Sequence, residues 1–315
     1  MTRIEETIPL AVVAGPTASG KTGLAVELAL RLDGEVVSAD SMQIYRRMAI
    51  ATAKPTPEEQ RGVPHHLIDF LEPGEQFSVA QYVEMARKTI REIRSRGKLP
   101  IVAGGTGLYI QSLVDNIAFS PQPSDPALRE ALRQRAQREG GESLLRELAS
   151  FDPESAARLH PNNLGRVIRA IEVYRLTGKT MTQQMAQSRR EPSPYRLAML
   201  GLTYSDRQLL YNRIDRRVDA MVAQGLLEEA RQMREEGLSS TAAQAIGYKE
   251  LEGYFAGEEP LEEALERMKR ETRRYAKRQL TWFRRDERFH WLEMDRLGDG
   301  AADEAEKILV RELNL

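Results

Sequence analysis

The chain of 315 residues contains no cysteine. Disulfides, thiolate chemistry and Cys-ligated zinc modules are thereby excluded, and the composition suits a reducing cytoplasm. Histidine is scarce, with four in all. Two of these, His65 and His66, are adjacent and point in different directions on either a helix or a strand, so a structural or hydrogen-bonding role is expected rather than a shared metal. No run approaches the ~18 apolar residues that a membrane span needs. The short apolar stretch after Arg3 is preceded by Glu5 and Glu6 and does not read as a signal peptide. Net charge is almost absent too, at −1, but that balance hides an uneven distribution in which Lys and Arg gather near the C-terminus. With 41% hydrophobic residues the chain can build one large core or two domains.

What is present centres on Gly15-Pro16-Thr17-Ala18-Ser19-Gly20-Lys21-Thr22, which satisfies the phosphate-loop pattern G-x-x-x-x-G-K-[ST] at every defined position. Its flanks agree: Ile8, Leu10, Ala11, Val12 and Val13 read as a buried strand, and residues 23–32 read as a helix. Glycines let backbone amides converge on an anion, and the helix N-terminus adds partial positive charge. Lys21 supplies a full charge, and Thr22 offers a hydroxyl to Mg²⁺. A glycine turn that only joins strand to helix is the plainer alternative, and strand, loop and helix in the right order argue against it. A polyphosphate is therefore expected. A nucleoside triphosphate and an allylic diphosphate present similar oxygens, so the loop alone does not choose between them.

The rest of the chain reads as α/β: a P-loop NTPase-like parallel sheet core with an all-helical insertion and a basic helical C-terminal region. A second strand over 34–39 delivers Asp40-Ser41-Met42-Gln43 at its C-terminal end, where such sheets place their chemistry. Asp40 has three readings there: metal-organising carboxylate, general base, or simple N-cap. A helix over 77–94 precedes a strand over 99–102, which leads into Gly104-Gly105-Thr106-Gly107-Leu108-Tyr109. Glycines at that strand end allow close backbone approach, with Thr106 as the polar tip. The lack of an acidic residue there weakens a triphosphate-hydrolase reading.

Ser120, Pro121, Pro123, Ser124, Asp125 and Pro126 mark a boundary, as does the polar stretch 188–194. The expected domains are 1–120, 121–194 (helical, over 127–148 and 153–176) and 195–315. Arg166 and Arg169, at i, i+3, suit two phosphates or a solvated surface equally well. A returning strand over 195–202 leads into a helical region from Asp206 to Ala220 that holds Arg207, Arg213, Arg216 and Arg217, any of which could meet a diphosphate. Ala245-Ile246-Gly247-Tyr248-Lys249-Glu250 reads as a tight junction near a ligand or as a plain packing contact. From Leu261 to Arg285, apolar positions at Leu261, Leu265, Met268, Tyr275, Leu280 and Phe283 alternate with Arg270, Arg273, Arg274, Lys277, Arg278, Arg284 and Arg285. So much positive charge, interleaved with Tyr275 and Trp282, is the footprint expected for contact with a nucleic-acid backbone, because a solvated face normally mixes signs. An edge strand over 290–294 and a helix over 301–313 close the chain.

Taken together, GPTASGKT (15–22), DSMQ (40–43), VPHHLID (63–69), GGTGLY (104–109), QAIGYK (244–249) and KRQLTWFR (277–284) resemble the bacterial tRNA dimethylallyltransferase family, over nearly the whole chain. The resemblance implies transfer of a dimethylallyl group from its diphosphate to N6 of the adenosine 3′-adjacent to the tRNA anticodon, with Mg²⁺. It implies Asp40, Thr106 and Lys21 as catalytic residues, with Asp40 the general base, and Gly15 to Thr22 as the diphosphate loop, with Thr22 on the metal. Ser41, Met42 and Gln43 would line the target nucleotide. Further tRNA contacts are implied at Arg129, at Gly165, Arg166 and Arg169, at Gln244, Gly247, Tyr248 and Lys249, and at Lys277, Arg278, Gln279, Trp282 and Arg284. Some family members carry Gln where this chain has Gly165. The implied partners are the tRNA anticodon stem-loop and dimethylallyl diphosphate, with no membrane and a monomer favoured. A small-metabolite P-loop kinase using ATP, or an adenylate isopentenyltransferase, would leave the basic helix without a purpose. A non-catalytic RNA-binding module would leave Asp40 and Thr106 without one.

Overall fold

The computed structural model describes residues 7–119, 123–188 and 191–315. The expected boundary residues Ser120 and Pro121 lie outside them, as do positions 189 and 190 of the second boundary stretch. The chain divides into two compact units, one of residues up to Val114 together with Pro194–Leu315, the other Asp115–Ser193.

The first unit is built on a six-stranded sheet: β1 (Ile8–Ala14), β2 (Gly34–Ser38), β3 (His65–His66), β4 (Leu99–Gly104), β5 (Tyr195–Thr203) and β6 (Phe289–Glu293). The order is β3-β2-β4-β1-β5-β6, and every pairing is parallel. All-parallel sheets need cover on both faces, which is why these strands read as continuous apolar runs. Successive side chains of β1 serve the two faces in turn. Leu10 and Val12 pack with Tyr82, Ile90 and Ile110 from helices Val79–Ser95 and Gly107–Val114. Ala11 and Val13 pack with Leu24, Leu28, Ile308 and Leu309 from helices Lys21–Arg31 and Ala301–Leu313. The loops after β1, β2 and β4 therefore emerge together at the carboxyl edge of the sheet, the usual place for a ligand in an open α/β sheet.

A third cluster joins helices Arg207–Ala223, Leu226–Glu236 and the basic helix Leu261–Phe283 to Ile44, Tyr45 and Met48 from the segment after β2. The histidines have the structural role expected of them. His66 Nε2 lies 2.7 Å from Glu35 Oε2, and His65 Nδ1 lies 2.9 Å from the Val63 carbonyl.

The second unit contains helices only, among its described residues: Pro126–Glu139, Gly141–Phe151, Pro153–Arg158, Leu164–Thr177 and Met181–Ser188. They enclose Leu132, Leu144, Leu148, Val167 and Ile171. The continuous helix expected over 127–148 breaks at Gly140, whose φ of 82° is a conformation that glycine adopts without steric cost. That expected over 153–176 is interrupted at Pro161, which cannot continue a helix.

Candidate active site

The phosphate loop passes directly into helix Lys21–Arg31, whose N-cap is Gly20 in the left-handed region. A glycine cap carries no side chain to satisfy the first-turn amides, so they remain for an anion. Lys21 Nζ donates to the Pro16 carbonyl at 2.6 Å. Burial, and then the Arg217 guanidinium, push the Lys21 ammonium down to about 7, against the opposing pull of Asp40. Arg217 is itself lowered, chiefly by burial. Asp40 and, at Arg217, Glu59 offset these shifts only in part, so an anion in the cavity would relieve both cations.

The sign of the resulting pH dependence follows. Free Lys21 is charged below about 7 and loses its proton above it. Because the charged form is the one that binds the anion, affinity for inorganic pyrophosphate should fall as pH rises through that range. The same titration on Lys21→Met cancels the ligand's own ionisation. Parallel pH profiles for parent and variant would remove Lys21 from the site.

The Asp40 turn is fixed from two directions. Asp40 Oδ1 accepts from the Met42 and Gln43 amides at 2.9 and 3.3 Å, so the residue does cap its own turn, but with one oxygen only. Thr106 Oγ1 accepts from the Ser41 amide at 3.0 Å and donates to Ser41 Oγ at 3.3 Å, tying the turn to the loop after β4. Asp40 Oδ2 has no protein partner among the described residues, and Asp40 lines a cavity of about 420 Å³. The same cavity is lined by Lys21, Thr22, Ser41 and Arg217, and by the apolar side chains Ile214, Val218, Met221 and Met268. Another wall, Ala51 to Ala53, is braced by Gln43 Nε2, which donates to the Thr52 and Ala53 carbonyls at 3.2 and 3.0 Å. The Glu229 carboxylate accepts the amides of Ala49, Ile50 and Ala51 at 2.8, 2.8 and 2.9 Å.

Among the described residues no three His, Asp or Glu cluster to hold a metal. The Thr22 hydroxyl, in the same cavity, would suit Mg²⁺, a cation that keeps several waters and needs few protein ligands.

Residues 43–286 match the family described as IPP transferase. The chain belongs to the IPP transferase family. Its relatives include tRNA dimethylallyltransferases of Geobacillus kaustophilus, 53% identical over 93% of each chain, and of Bacillus subtilis, 49% identical over 91% of each. Among solved structures, a full-length tRNA isopentenylpyrophosphate transferase of Bacillus halodurans superposes with a TM-score of 0.73 at 45% identity, covering 97% of each chain. A eukaryotic dimethylallyltransferase acting on tRNA gives 0.79 at 29% identity, over 95% of this chain and 77% of its own.

The structure sorts the four candidate arginines that the sequence leaves open. Arg217 lines the cavity. Arg213 Nε donates to the Ala18 carbonyl at 2.9 Å and supports the phosphate loop from outside. Arg207 and Arg216 are exposed, and Arg216 turns back to its own helix at the Asn212 carbonyl.

Of the residues that the resemblance places on tRNA, Gln244, Lys249 and Arg278 line the cavity, and Lys277 and Arg284 are exposed. Tyr248 is different. It is 4% exposed and its hydroxyl donates to Glu229 at 2.9 Å, so it presents no surface to a partner and instead anchors the wall that Glu229 organises. Gly247, at φ 117°, makes that junction turn, and its amide is held by Glu250 at 2.8 Å. Trp282 packs against Gly107, where an added Cβ would come within 2.3 Å of the indole.

The basic helix does mix signs over its first half: Arg267, Lys269, Arg273 and Arg274 pair with Glu259, Asp219, Asp215 and Glu271. Among the described residues, cations without an ion pair remain at Arg270, Lys277, Arg278, Arg284 and Arg285, all exposed. In the second unit Gly165 and Arg166 are exposed, whereas Arg129 and Arg169 converge on Glu172, which is fully buried, at 2.9 and 2.5 Å. Burial pushes the Glu172 carboxyl up, but the guanidiniums and the Asp125 amide outweigh it and hold the group below the usual range. Arg166 and Arg169 are therefore unlike: one is free to move, the other is anchored. Glu172 and Glu229 escaped the sequence reading. For Glu172, its i+3 spacing from Arg169 was a signal; for Glu229 there was none.

Proposed function

We propose that this chain transfers the dimethylallyl group of dimethylallyl diphosphate to N6 of the adenosine 3′-adjacent to the tRNA anticodon, releasing diphosphate. The observation that carries the proposal is that Thr17, Ala18, Lys21 and Thr22 of the phosphate loop, the partly buried cation Arg217 and a carboxylate with one unengaged oxygen line a single cavity. The relatives named as tRNA dimethylallyltransferases support it.

Adenine N6 is a weak nucleophile because its lone pair is delocalised into the ring. As N6 attacks the allylic carbon, the C–O bond to diphosphate breaks and the N6 proton passes to Asp40 Oδ2, a general-base step typically worth ~10²–10⁴-fold. Negative charge grows on the departing diphosphate, which Lys21, Arg217 and the first-turn amides of helix Lys21–Arg31 would stabilise. Mg²⁺, when bound, would supply further neutralisation of that charge, with Thr22 as its protein ligand. Ile214, Val218, Met221 and Met268 offer the allyl group an apolar wall and keep water from an electrophilic carbon. The target base has to leave its stack to reach this cavity, so the RNA must be gripped outside it. Lys277, Arg278 and Arg284, all exposed, would supply that grip. A cytoplasmic enzyme acting as a monomer is the simplest setting for such a reaction.

The direct test is mass spectrometry of anticodon-loop nucleosides after incubation with dimethylallyl diphosphate, expecting a dimethylallyl adduct on adenosine that requires tRNA. ATP turnover without RNA would favour a small-metabolite kinase, and prenylation of free adenylate would favour an adenylate isopentenyltransferase. Neutralising Lys277, Arg278 and Arg284 together should weaken tRNA binding and flatten its salt dependence by about three units of slope, roughly one per lost phosphate contact. Pyrophosphate affinity should barely change in a variant that neutralises only Lys277 and Arg284 and keeps Arg278, which lines the cavity. An unaltered slope would place these side chains away from the RNA.

A further inference from the structure

The basic helix carries one buried polar side chain among its exposed cations. Gln279 is 6% exposed. Its Oε1 accepts from the amide of Thr17 in the phosphate loop at 2.9 Å, and its Nε2 donates to the Gly105 carbonyl at 3.0 Å. Gly105 precedes Thr106, whose hydroxyl holds the turn that carries Asp40. One amide thus bridges the loop that holds the leaving group and the loop that holds the base. Both partners lie far away in the sequence, at separations of 262 and 174 residues. The fit is tight: a Cβ at Gly105 would lie 2.2 Å from Gln279 Nε2, while the next atoms outside that side chain begin at 3.6 Å.

We infer that Gln279 is a positioning residue that sets the spacing between the diphosphate loop and the Asp40–Thr106 pair, and that it makes the RNA-facing helix and the phosphate site respond to each other. This rests on the prenyl-transfer reading above. An amide is suited to the task because it satisfies one donor and one acceptor at once. Leucine or methionine would fill the space but leave a buried N–H and C=O unpaired. Lys277 and Arg278 precede Gln279 directly, so an RNA backbone that settles on them bears on the same turn of helix that grips the Thr17 amide.

Gly105→Ala and Gln279→Ala break the same contact from opposite sides, and the double variant relieves the clash. Each single change should lower the single-turnover rate by roughly 10- to 100-fold, the scale of a misplacement near 1 Å, with KM for tRNA little changed. The double variant should be no worse than the worse single one, since the two changes share one interaction. Binding of inorganic pyrophosphate, with and without an anticodon stem-loop whose target adenosine is replaced by guanosine, supplies a readout that mere packing would not move. In the parent the stem-loop should tighten pyrophosphate by at least ~5-fold, and in Gln279→Ala that factor should fall towards one. Multiplicative losses in the double variant would overturn the inference, and so would a stem-loop effect that survives in Gln279→Ala or is absent from the parent. Gln279→Met, which keeps the volume, repeats the measurement should the alanine variant fold poorly. A parent protein that binds neither pyrophosphate nor stem-loop would instead overturn the prenyl-transfer reading itself.

Discussion

Lys21→Ala should lower prenyl transfer by ~10²–10³-fold, the loss typical when a pre-aimed donor to developing negative charge is removed. Two features of the site make the effect large. Lys21 lies at the N-terminus of its helix with its ammonium held at the Pro16 carbonyl, so little reorganisation is needed when the diphosphate arrives. Its proton is also loosely held in the free enzyme, at about 7, because it is buried away from water and because Arg217 crowds it. Binding a polyanion reverses that penalty, and Arg217 alone cannot replace the lost cation. Ground-state affinity should fall as well, by ~1.5–3 kcal/mol for a hydrogen bond to a charged group. Isothermal titration with pyrophosphate and single-turnover transfer measure the two losses separately. Parent-like values in both would mean that the phosphate loop binds something other than the leaving group.

Much of the sheet is legible in the sequence because its strands are buried on both faces. The segments around Val12, Val36, Ile101 and Leu200 are apolar runs, and the first three end in the loops that carry the candidate chemistry. β3 is not legible: at two residues, His65–His66, it is too short to show any period, and it exists because β2 offers an edge. Helix Lys21–Arg31 starts two residues before the apolar pattern shows it, because its first turn faces the ligand rather than the core.

The site is legible where chemistry is local and illegible where it depends on packing between distant segments. Gly15 to Thr22 and Asp40 to Gln43 declare themselves within eight and four residues. Gln279 does not. Flanked by Arg278 and Leu280 it reads as one more polar surface residue, and only the approach of the Thr17 and Gly105 loops shows that it is buried. At Tyr248 the sequence leaves a junction near a ligand and a plain packing contact both open, and the structure shows the side chain packed, with its hydroxyl donated to Glu229. The four arginines between Asp206 and Ala220 differ by helical phase alone. Arg213 and Arg217, one turn apart, face the phosphate loop and the cavity, while Arg207 and Arg216 do not.

Asp40→Asn separates the two catalytic roles open to that carboxylate, and the geometry makes it a cleaner change than alanine. Asp40 Oδ1 accepts the Met42 and Gln43 amides, and an asparagine Oδ1 can do the same, so the turn should persist. Only the other oxygen, the one that would take the N6 proton, is replaced by a group that cannot accept it. As a general base, then, Asp40→Asn should cut the single-turnover rate by ~10²-fold or more with tRNA affinity close to the parent. The carboxylate also helps to keep Lys21 charged, so some diphosphate affinity should be lost at high pH, and saturating dimethylallyl diphosphate removes that contribution from the rate. A metal-organising Asp40 predicts something else: the Mg²⁺ requirement should rise, and excess Mg²⁺ should restore much of the rate. A Mg²⁺ titration of the saturated variant therefore decides between them. A rate that stays low at every Mg²⁺ concentration assigns the proton to Asp40, and recovery to near-parent rates would assign it elsewhere.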